Sequence, residues 1–413
     1  MRHSSFFILF LYIAIGLTAC GVKVTSTPAS TETPTVQLTA TVTEGVFSPD
    51  DSSLGLDSIN DLIKQGKFSD AIDQLTIAIQ NNQGKDPRIV AYIYSLRGQA
   101  YAGLNKPDQA TADFTQAITL FPTFADAYNR RGAVYYSEGK YDLALADFNQ
   151  VLQYIPNSTM ALFERALIYL RLGKTDQGIA DLDELILLNP KNQASYLTRG
   201  AAYQQVGQYD KALADYNQSI AISPTVIAYN DRGDLYLDQV KYDLALADFQ
   251  SALTLDPSQA QTYTNLGRAY YALQKNDLAV KSLDQAIQLD PGSWQAFFYR
   301  GLVYNNQGNY DAAISDLTEA IQLVPQNATP HLIRGRIEAG HGSYSQALDD
   351  YNQSIQLAPN SPDGYFYRGE AYRLLGKKDE AVADYKQCLA LNPGDQLRTQ
   401  AQQQLLALTG KLQ

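Results

Sequence analysis

An Arg-Gly pair returns along this chain with almost no drift. It stands at Arg97-Gly98, Arg131-Gly132, Arg199-Gly200, Arg232-Gly233, Arg300-Gly301, Arg334-Gly335 and Arg368-Gly369, and Arg165-Ala166 and Leu266-Gly267 fill the two gaps. Every step is 34 residues apart from one of 33, between Arg199 and Arg232. Proline keeps the same beat at Pro122, Pro156, Pro190, Pro224, Pro257, Pro291, Pro325, Pro359 and Pro393, and a small residue follows it at Ala110, Ala144, Gly178, Ala212, Ala245, Ala279, Ala312, Ala347 and Ala381, with a slip of one residue at Ala312. A period of this length is one supersecondary unit, too small to bury a core alone, so neighbouring copies have to stack. The two or three independent domains that 413 residues would otherwise imply are thereby set aside.

Within a copy, apolar residues fall at helical spacing, as in Tyr128 and Tyr135 with Gly132 between them. Gly132 and Ala144 lack bulk, which lets two helices approach closely. Gly139-Lys140-Tyr141-Asp142 breaks the first helix and starts a second, with Asp142 expected to cap it and oppose its dipole. The second helix is expected over 143–154, stopped by Pro156. Tyr128, Gly132, Tyr135, Ala144, Phe148 and Pro156 resemble the tetratricopeptide signature, with Val151 where Ala is usual. The resemblance implies an all-α fold: an α-solenoid of about ten helix-turn-helix repeats forming a right-handed superhelix. Residues 54–90 read as a degenerate first repeat, with Ser58-Ile59 in the Arg-Gly place and extra residues around Asp86 to Val90, and residues 91–395 as nine repeats. Residues 396–413 read as a capping helix and tail, with Leu397, Ala401, Leu405 and Leu408 in one apolar stripe and Gly410 to end it.

Copies bearing the Arg also bear Asp sixteen residues on: Arg97/Asp113, Arg131/Asp147, Arg165/Asp181, Arg199/Asp215, Arg232/Asp248, Arg300/Asp316, Arg334/Asp350 and Arg368/Asp384. The complete copy that lacks the Arg, at Leu266, has Ser282 in the Asp place, and the degenerate copy has Ser58 and Gln74. This joint presence and absence predicts a partly buried ion pair within each repeat, across its two helices. It gives eight arginines a structural role.

The first residues read as an address. Arg2 and His3 precede an apolar run from Phe6 to Leu17, of signal-peptide length and short for a membrane span. The run ends in Leu17-Thr18-Ala19-Cys20, which resembles the bacterial lipobox. The resemblance implies that residues 1–19 are a lipoprotein signal peptide, that Cys20 carries covalent lipid, and that the protein is extracytoplasmic, lipid-anchored to a bacterial cell or outer membrane. Several acyl chains anchor stably where one binds reversibly. Residues 20–53, with Thr25-Ser26-Thr27-Pro28 and Thr31-Glu32-Thr33-Pro34-Thr35, read as a disordered tether.

No residue is assigned to catalysis. There is no P-loop, dinucleotide fingerprint or nucleophile elbow. Three histidines and two cysteines leave little for a metal site, so no metal and no cofactor beyond the lipid is expected. His331 takes an aromatic place in the core, and Cys388 reads as a buried inert thiol. Acidic residues outnumber basic ones 43 to 32, for a net charge of −11, which argues against nucleic acid as a partner. In tetratricopeptide proteins the first helices line the concave face. Carried onto this chain, the groove positions are Asn129, Tyr136, Phe163, Leu167, Leu170, Leu197, Asn230, Asp234, Arg268, Tyr271, Phe298, Asn305, Leu332, Arg336, Phe366, Glu370 and Arg373. The paired Lys and Asn of carboxylate-clamp members are not matched. The expectation is a non-enzymatic scaffold that binds peptide segments or partner helices, with a pilotin-like or outer-membrane assembly lipoprotein as the alternative and no small-molecule substrate.

Overall fold

The computed structural model describes residues 56–410. Residues 1–19, Cys20 and the tether to residue 53 lie outside the described residues. The described chain is helical throughout, with 21 helices and no strand among the described residues. In the first part of the chain they are α1 (Asp57–Lys64), α2 (Phe68–Asn81), α3 (Pro87–Gly103), α4 (Pro107–Leu120), α5 (Ala125–Ser137), α6 (Tyr141–Tyr154), α7 (Thr159–Arg171), α8 (Thr175–Leu188), α9 (Gln193–Gln205) and α10 (Tyr209–Ile222). Then come α11 (Val226–Asp238), α12 (Tyr242–Leu255), α13 (Ala260–Ala272), α14 (Asn276–Leu289), α15 (Trp294–Asn306), α16 (Tyr310–Leu323), α17 (Ala328–Gly340), α18 (Tyr344–Leu357), α19 (Pro362–Leu374), α20 (Lys378–Ala390) and α21 (Asp395–Thr409). They fall into two compact units, one ending at Pro224 and one starting at Thr225.

Each odd-numbered helix up to α19 packs on the even-numbered helix that follows it. A three-residue turn joins the two, so helices in contact along their length must run antiparallel. In the third repeat the turn is Glu138-Gly139-Lys140, with Gly139 at φ +73°. Only glycine takes that conformation without a Cβ penalty. The helix after it begins at Tyr141, two residues earlier than the sequence pattern indicates. Lys140 is therefore the N-cap residue, and its side chain makes no capping bond. Asp142 lies inside the first turn instead, where its charge still opposes the helix dipole but caps nothing. The extra residues before the third helix form added helix rather than loop. Asp86 caps α3 by accepting from the Arg88 amide at 2.9 Å, and Pro87 opens the helix.

The small residues permit the close approach. A Cβ on Gly132 would meet the Phe148 ring at 3.1 Å, and Ala144 is fully buried. Phe148, Val151, Ala161 and Ile168 then join one core across α6 and α7, so each repeat completes the core of the one before it. At the far end α21 seats Ala401 and Leu405 on Phe366, Tyr385 and Cys388, with Leu397 and Leu408 alongside. Gly410, at φ +69°, ends it in the left-handed conformation. No described helix is long and apolar enough to cross a membrane.

Candidate functional site

The eight Arg–Asp couples are all in place, each within one repeat. Arg131 donates from Nε and Nη2 to both oxygens of Asp147, at 2.9 and 2.7 Å, a two-pronged fit of fork to carboxylate. Arg97/Asp113, Arg165/Asp181, Arg199/Asp215, Arg232/Asp248, Arg300/Asp316, Arg334/Asp350 and Arg368/Asp384 close in the same way.

The couples are partly buried, as expected, and the burial is unequal. The arginines are the partly buried members. The aspartates Asp113, Asp147, Asp181, Asp215, Asp248, Asp316, Asp350 and Asp384 are buried, so none is a surface carboxylate that a partner could reach. The cause is the small residue beside each arginine, alanine after Arg165 and glycine after the other seven. A Cβ on Gly132 would stand 3.3 Å from Asp147 Cβ, and Gly335 and Gly369 would stand 3.1 and 3.3 Å from those of Asp350 and Asp384. The second helix therefore presses the root of the aspartate against the backbone of the first. The Asp147 side chain is left 5% exposed, against 16% for Arg131. The signature tyrosines lie around the guanidinium: the Tyr128 and Tyr135 rings are 5.7 and 5.8 Å from that of Arg131. Many of the tyrosines that the pattern assigns to core are thus half-buried partners of a cation.

A third contact reaches outside the repeat. Arg131 Nη1 donates to Thr115 Oγ1 on α4 at 2.9 Å, and Arg165 Nη1 to Asn149 Oδ1 on α6 at 2.7 Å. Arg199 and Asp183, Arg300 and Asp284, Arg334 and Thr318, and Arg368 and Asn352 repeat the arrangement. Each of these arginines ties its own repeat to the second helix of the preceding one.

The electrostatics vary with the company kept. The hydrogen bond that it donates to Asp147 is the main reason the Arg131 guanidinium holds its proton more tightly than usual. Burial raises the Asp147 carboxyl, and Arg131 offsets that only in part. Burial acts on Asp350 too, but His331 and Arg334 together hold it below the ordinary carboxylate range. His331 is buried on α17 with Nδ1 3.1 Å from Asp350 Oδ1, so it belongs to an ion-pair site as well as to the core.

The proposed groove positions divide. Tyr136, Leu167, Leu170, Leu197, Phe298 and Phe366 are buried, which removes them from an open face. Neighbouring first helices touch one another, α5 with α7 and α13 with α15, and bulky residues on that side become core between repeats. Tyr136 joins the core of α6 and α7, Leu170 that of α8, Phe298 that of α16, and Phe366 that of α20 and α21. Asn129, Phe163, Asn230, Asp234, Arg268, Tyr271, Asn305, Leu332, Glu370 and Arg373 are half-buried, and Arg336 is exposed.

Several of the half-buried polar residues are spent on one another. Asn230 Nδ2 donates to Thr262 Oγ1 at 2.8 Å, and Arg268 Nη1 to Asp234 Oδ1 at 3.0 Å, both bridging α11 and α13. Arg373 and Glu370 pair at 2.8 Å, and the Tyr385 hydroxyl donates to the same carboxylate at 2.5 Å. The Arg336 guanidinium lies 4.5 Å from the centre of the Tyr367 ring. What remains open on the first helices is a set of aromatic and aliphatic residues with one exposed cation.

Two buried groups on this side escape the sequence pattern. Glu164 is 7% exposed on α7, and Thr198 is 1% exposed on α9 with a hydroxyl that has no partner. Neither belongs to the repeat signature, so nothing periodic marks them. Burial alone pushes the Glu164 carboxyl up to about 7. Cys388 is buried, its thiol raised to about 11 chiefly by burial, which suits an inert core residue. Among the described residues no group of three or more His, Cys, Asp or Glu is placed to hold a metal. Cys20 lies outside the described residues.

Comparison with solved structures gives the same architecture. The Cut9–Hcn1 hetero-tetramer of the APC/C is similar with a TM-score of 0.53 and 16% identity, over 85% of this chain and 82% of that one. A tetratricopeptide repeat protein from Parabacteroides merdae is similar with a TM-score of 0.50 and 19% identity, over 57% of this chain and 93% of that one. At these identities the likeness is one of fold. A sequence comparison with curated proteins gave no match. Tetratricopeptide repeat models match residues 91–124, 125–158, 160–192, 194–226, 264–328 and 362–395, and a TPR repeat model matches 233–274 and 335–376. Residue by residue, the helix pairs, their close-packed small residues and these matches coincide, and the chain belongs to the tetratricopeptide repeat family.

Proposed function

We propose that the protein is a non-enzymatic scaffold that holds protein partners on its first-helix face, and that it does so outside the cytoplasm, anchored by lipid on Cys20. Partner binding is supported by family membership and by the first-helix residues Phe163, Tyr271 and Leu332, which stay half-buried. A face of aromatic and aliphatic anchors with scattered polar groups fits an extended segment or a helix. The Leu17-Thr18-Ala19-Cys20 sequence after a short apolar run carries the anchoring half.

Expression in a bacterium with working lipoprotein processing tests both halves. The peptide that starts at Cys20 is expected to gain the mass of acyl chains, and the protein to enter the detergent phase. Cys20→Ala is expected to lose both. Crosslinking in intact cells should then recover envelope proteins through Phe163 and Leu332 labels. An unmodified, water-soluble product would remove the anchor and leave the repeats standing, and labels that crosslink to nothing would count against the binding face.

A further inference from the structure

One repeat loses both of the places that flank its arginine with apolar or aromatic side chains. Glu338 stands where every other complete repeat has tyrosine, and His331 where the others have tyrosine, phenylalanine or leucine. In the repeats on either side the rings are present. Phe297 and Tyr304 lie 5.5 and 5.8 Å from the Arg300 guanidinium, and Tyr365 and Tyr372 lie 5.7 and 5.9 Å from that of Arg368. Arg334 has an imidazole and a carboxyl in those places instead, both able to gain or lose a proton.

The imidazole is bonded into the couple. His331 Nδ1 lies 3.1 Å from Asp350 Oδ1, the oxygen that also accepts from Arg334 Nη2 at 2.8 Å. Glu338 follows Arg334 by one helical turn, so the two share a face of α17. Arg334 nevertheless does not close on it. Nε and Nη2 go to Asp350, and Nη1 goes to Thr318 on α16 at 2.8 Å. Glu338 Oε2 is left buried without a partner. Glu338 thus adds a second carboxylate to a couple that is already neutral, and the set is one proton short of balance. A buried set of this kind takes up the missing proton at a higher pH than an exposed carboxylate does. The Glu338 carboxyl is accordingly pushed up to about 7, first by burial and then by Asp350, with Arg334 opposing and Asp349 adding to the rise.

The other titratable groups nearby are engaged elsewhere. Arg336 lies 4.5 Å from the Tyr367 ring on α19, and Tyr351 on α18 stacks on that same ring. His341, exposed at the end of α17, lies against the Tyr310 ring at the start of α16. Arginine and tyrosine keep their protons through the neutral range.

We propose that the repeat formed by α17 and α18 takes up one proton between pH 8 and pH 5.5, shared by Glu338 and His331, and that this proton tightens the repeat. On Glu338 it removes the unpartnered charge, and on His331 it sets a second cation against Asp350, so either location restores the balance. The folded carboxyl binds its proton more tightly than the unfolded chain does. Its stabilising effect is therefore full below pH of about 4.3 and is lost as pH rises through about 7. α17 also carries Leu332 and Arg336, so mild acid would steady that stretch of the first-helix face for a partner. That consequence rests on the reading of the protein as a scaffold, whereas the proton uptake does not.

Amide hydrogen exchange of the full chain at pH 8 and pH 5.5, each corrected for the intrinsic rate, tests the proposal. Protection of α17 and α18 is expected to rise at least about tenfold at pH 5.5. Protection of α11 and α12, whose Arg232–Asp248 couple lies by Tyr229 and Tyr236, should change by less than about twofold. Glu338→Gln should bring α17 and α18 at pH 8 close to their acid level and remove most of the response. His331→Tyr with Glu338→Tyr, which restores the residues of other repeats, is the second variant and should also flatten it. His341→Gln should keep it in full. An equal rise in α11 and α12, a response that survives both Glu338 variants, or one lost with His341→Gln would overturn the proposal and leave the scaffold reading standing.

Discussion

Arg131 shows what one residue does in this chain. Its guanidinium closes the two helices of its own repeat through Asp147, reaches the preceding repeat through Thr115, and lies between two tyrosine rings. Arg131→Ala leaves a buried carboxylate unpaired and is expected to cost about 3–5 kcal/mol. Arg131→Met with Asp147→Leu should recover most of it, because an apolar pair of similar volume removes the unpaired charge. The chain carries its own precedent, a repeat in which Leu266 and Ser282 stand in these two places and are both buried. Amide hydrogen exchange over α5 and α6 reads the local effect, and a double variant no better than the single one would count against this account. The Arg–Asp pairing was legible in the sequence because both partners vanish together at Leu266 and Ser282. The depth of the aspartates was not, since it depends on how closely the glycine lets the second helix approach. Nor was the third contact legible, since threonine, asparagine and aspartate all serve as its acceptor and leave no constant letter.

Glu164 gives a pH prediction at the same scale. Its folded pKa, about 7, lies above the ordinary carboxylate value of roughly 4.3. The fold therefore binds this proton more tightly than the unfolded chain does. The stability it contributes is fully present below pH of about 4.3 and is lost as pH rises through about 7. Between pH 5 and pH 8 the wild type should lose roughly 2–3 kcal/mol relative to Glu164→Gln. Urea denaturation of both proteins at the two pH values measures it. Parallel pH profiles would mean that Glu164 is charged in the fold throughout.

At the scale of the element, the turn inside a repeat sets the sharpest demand. Its left-handed residue is glycine at Gly139, Gly173 and Gly207, but Val240 stands there before α12 with φ +62°. A β-branched residue in that conformation is strained, and its side chain is 66% exposed, so little packing repays it. Val240→Gly should stabilise α11 and α12 by about 1 kcal/mol. Gly233 sits inside α11, where a Cβ would come 2.4 Å from the Phe249 ring. Gly233→Ala should therefore destabilise by about 1–3 kcal/mol, although alanine is the better helix former. Thermal melts of the two variants test the pair, and effects of the same sign would refute the argument. These demands also explain what the periodicity could and could not reveal. Helix pairs, turns and small residues follow from contacts inside a repeat, which recur as letters. The open or closed state of Tyr136, Phe298 and Phe366 depends on how one first helix lies on the next, and the 34-residue pattern does not encode it.

At the scale of the whole molecule, a stacked array is only as secure as its ends. Each repeat contacts its neighbours, so its stability is close to a sum of repeat and interface contributions, and the last interface needs a cover. In the second unit that cover is α21, whose Ala401 and Leu405 lie on Phe366, Tyr385 and Cys388. Cys388 makes the cover measurable. In the Cys20→Ala background it is the only thiol, since the chain has two cysteines. Its burial and its raised pKa should leave it unreactive to a maleimide at neutral pH while the cap is on. Ending the chain after Pro393 removes α21 and uncovers the face of α19 and α20. Cys388 should then label at least about tenfold faster, with loss of hydrogen-exchange protection confined to α19 and α20 and the first unit unchanged. The nearest-neighbour picture predicts that confinement, because α21 reaches no repeat beyond the last. Loss of protection spreading through α11 to α18 would mean that the second unit unfolds as one body. Labelling unchanged by the truncation would mean that Cys388 is shielded by α19 and α20 alone, and that α21 lies on the array without closing it.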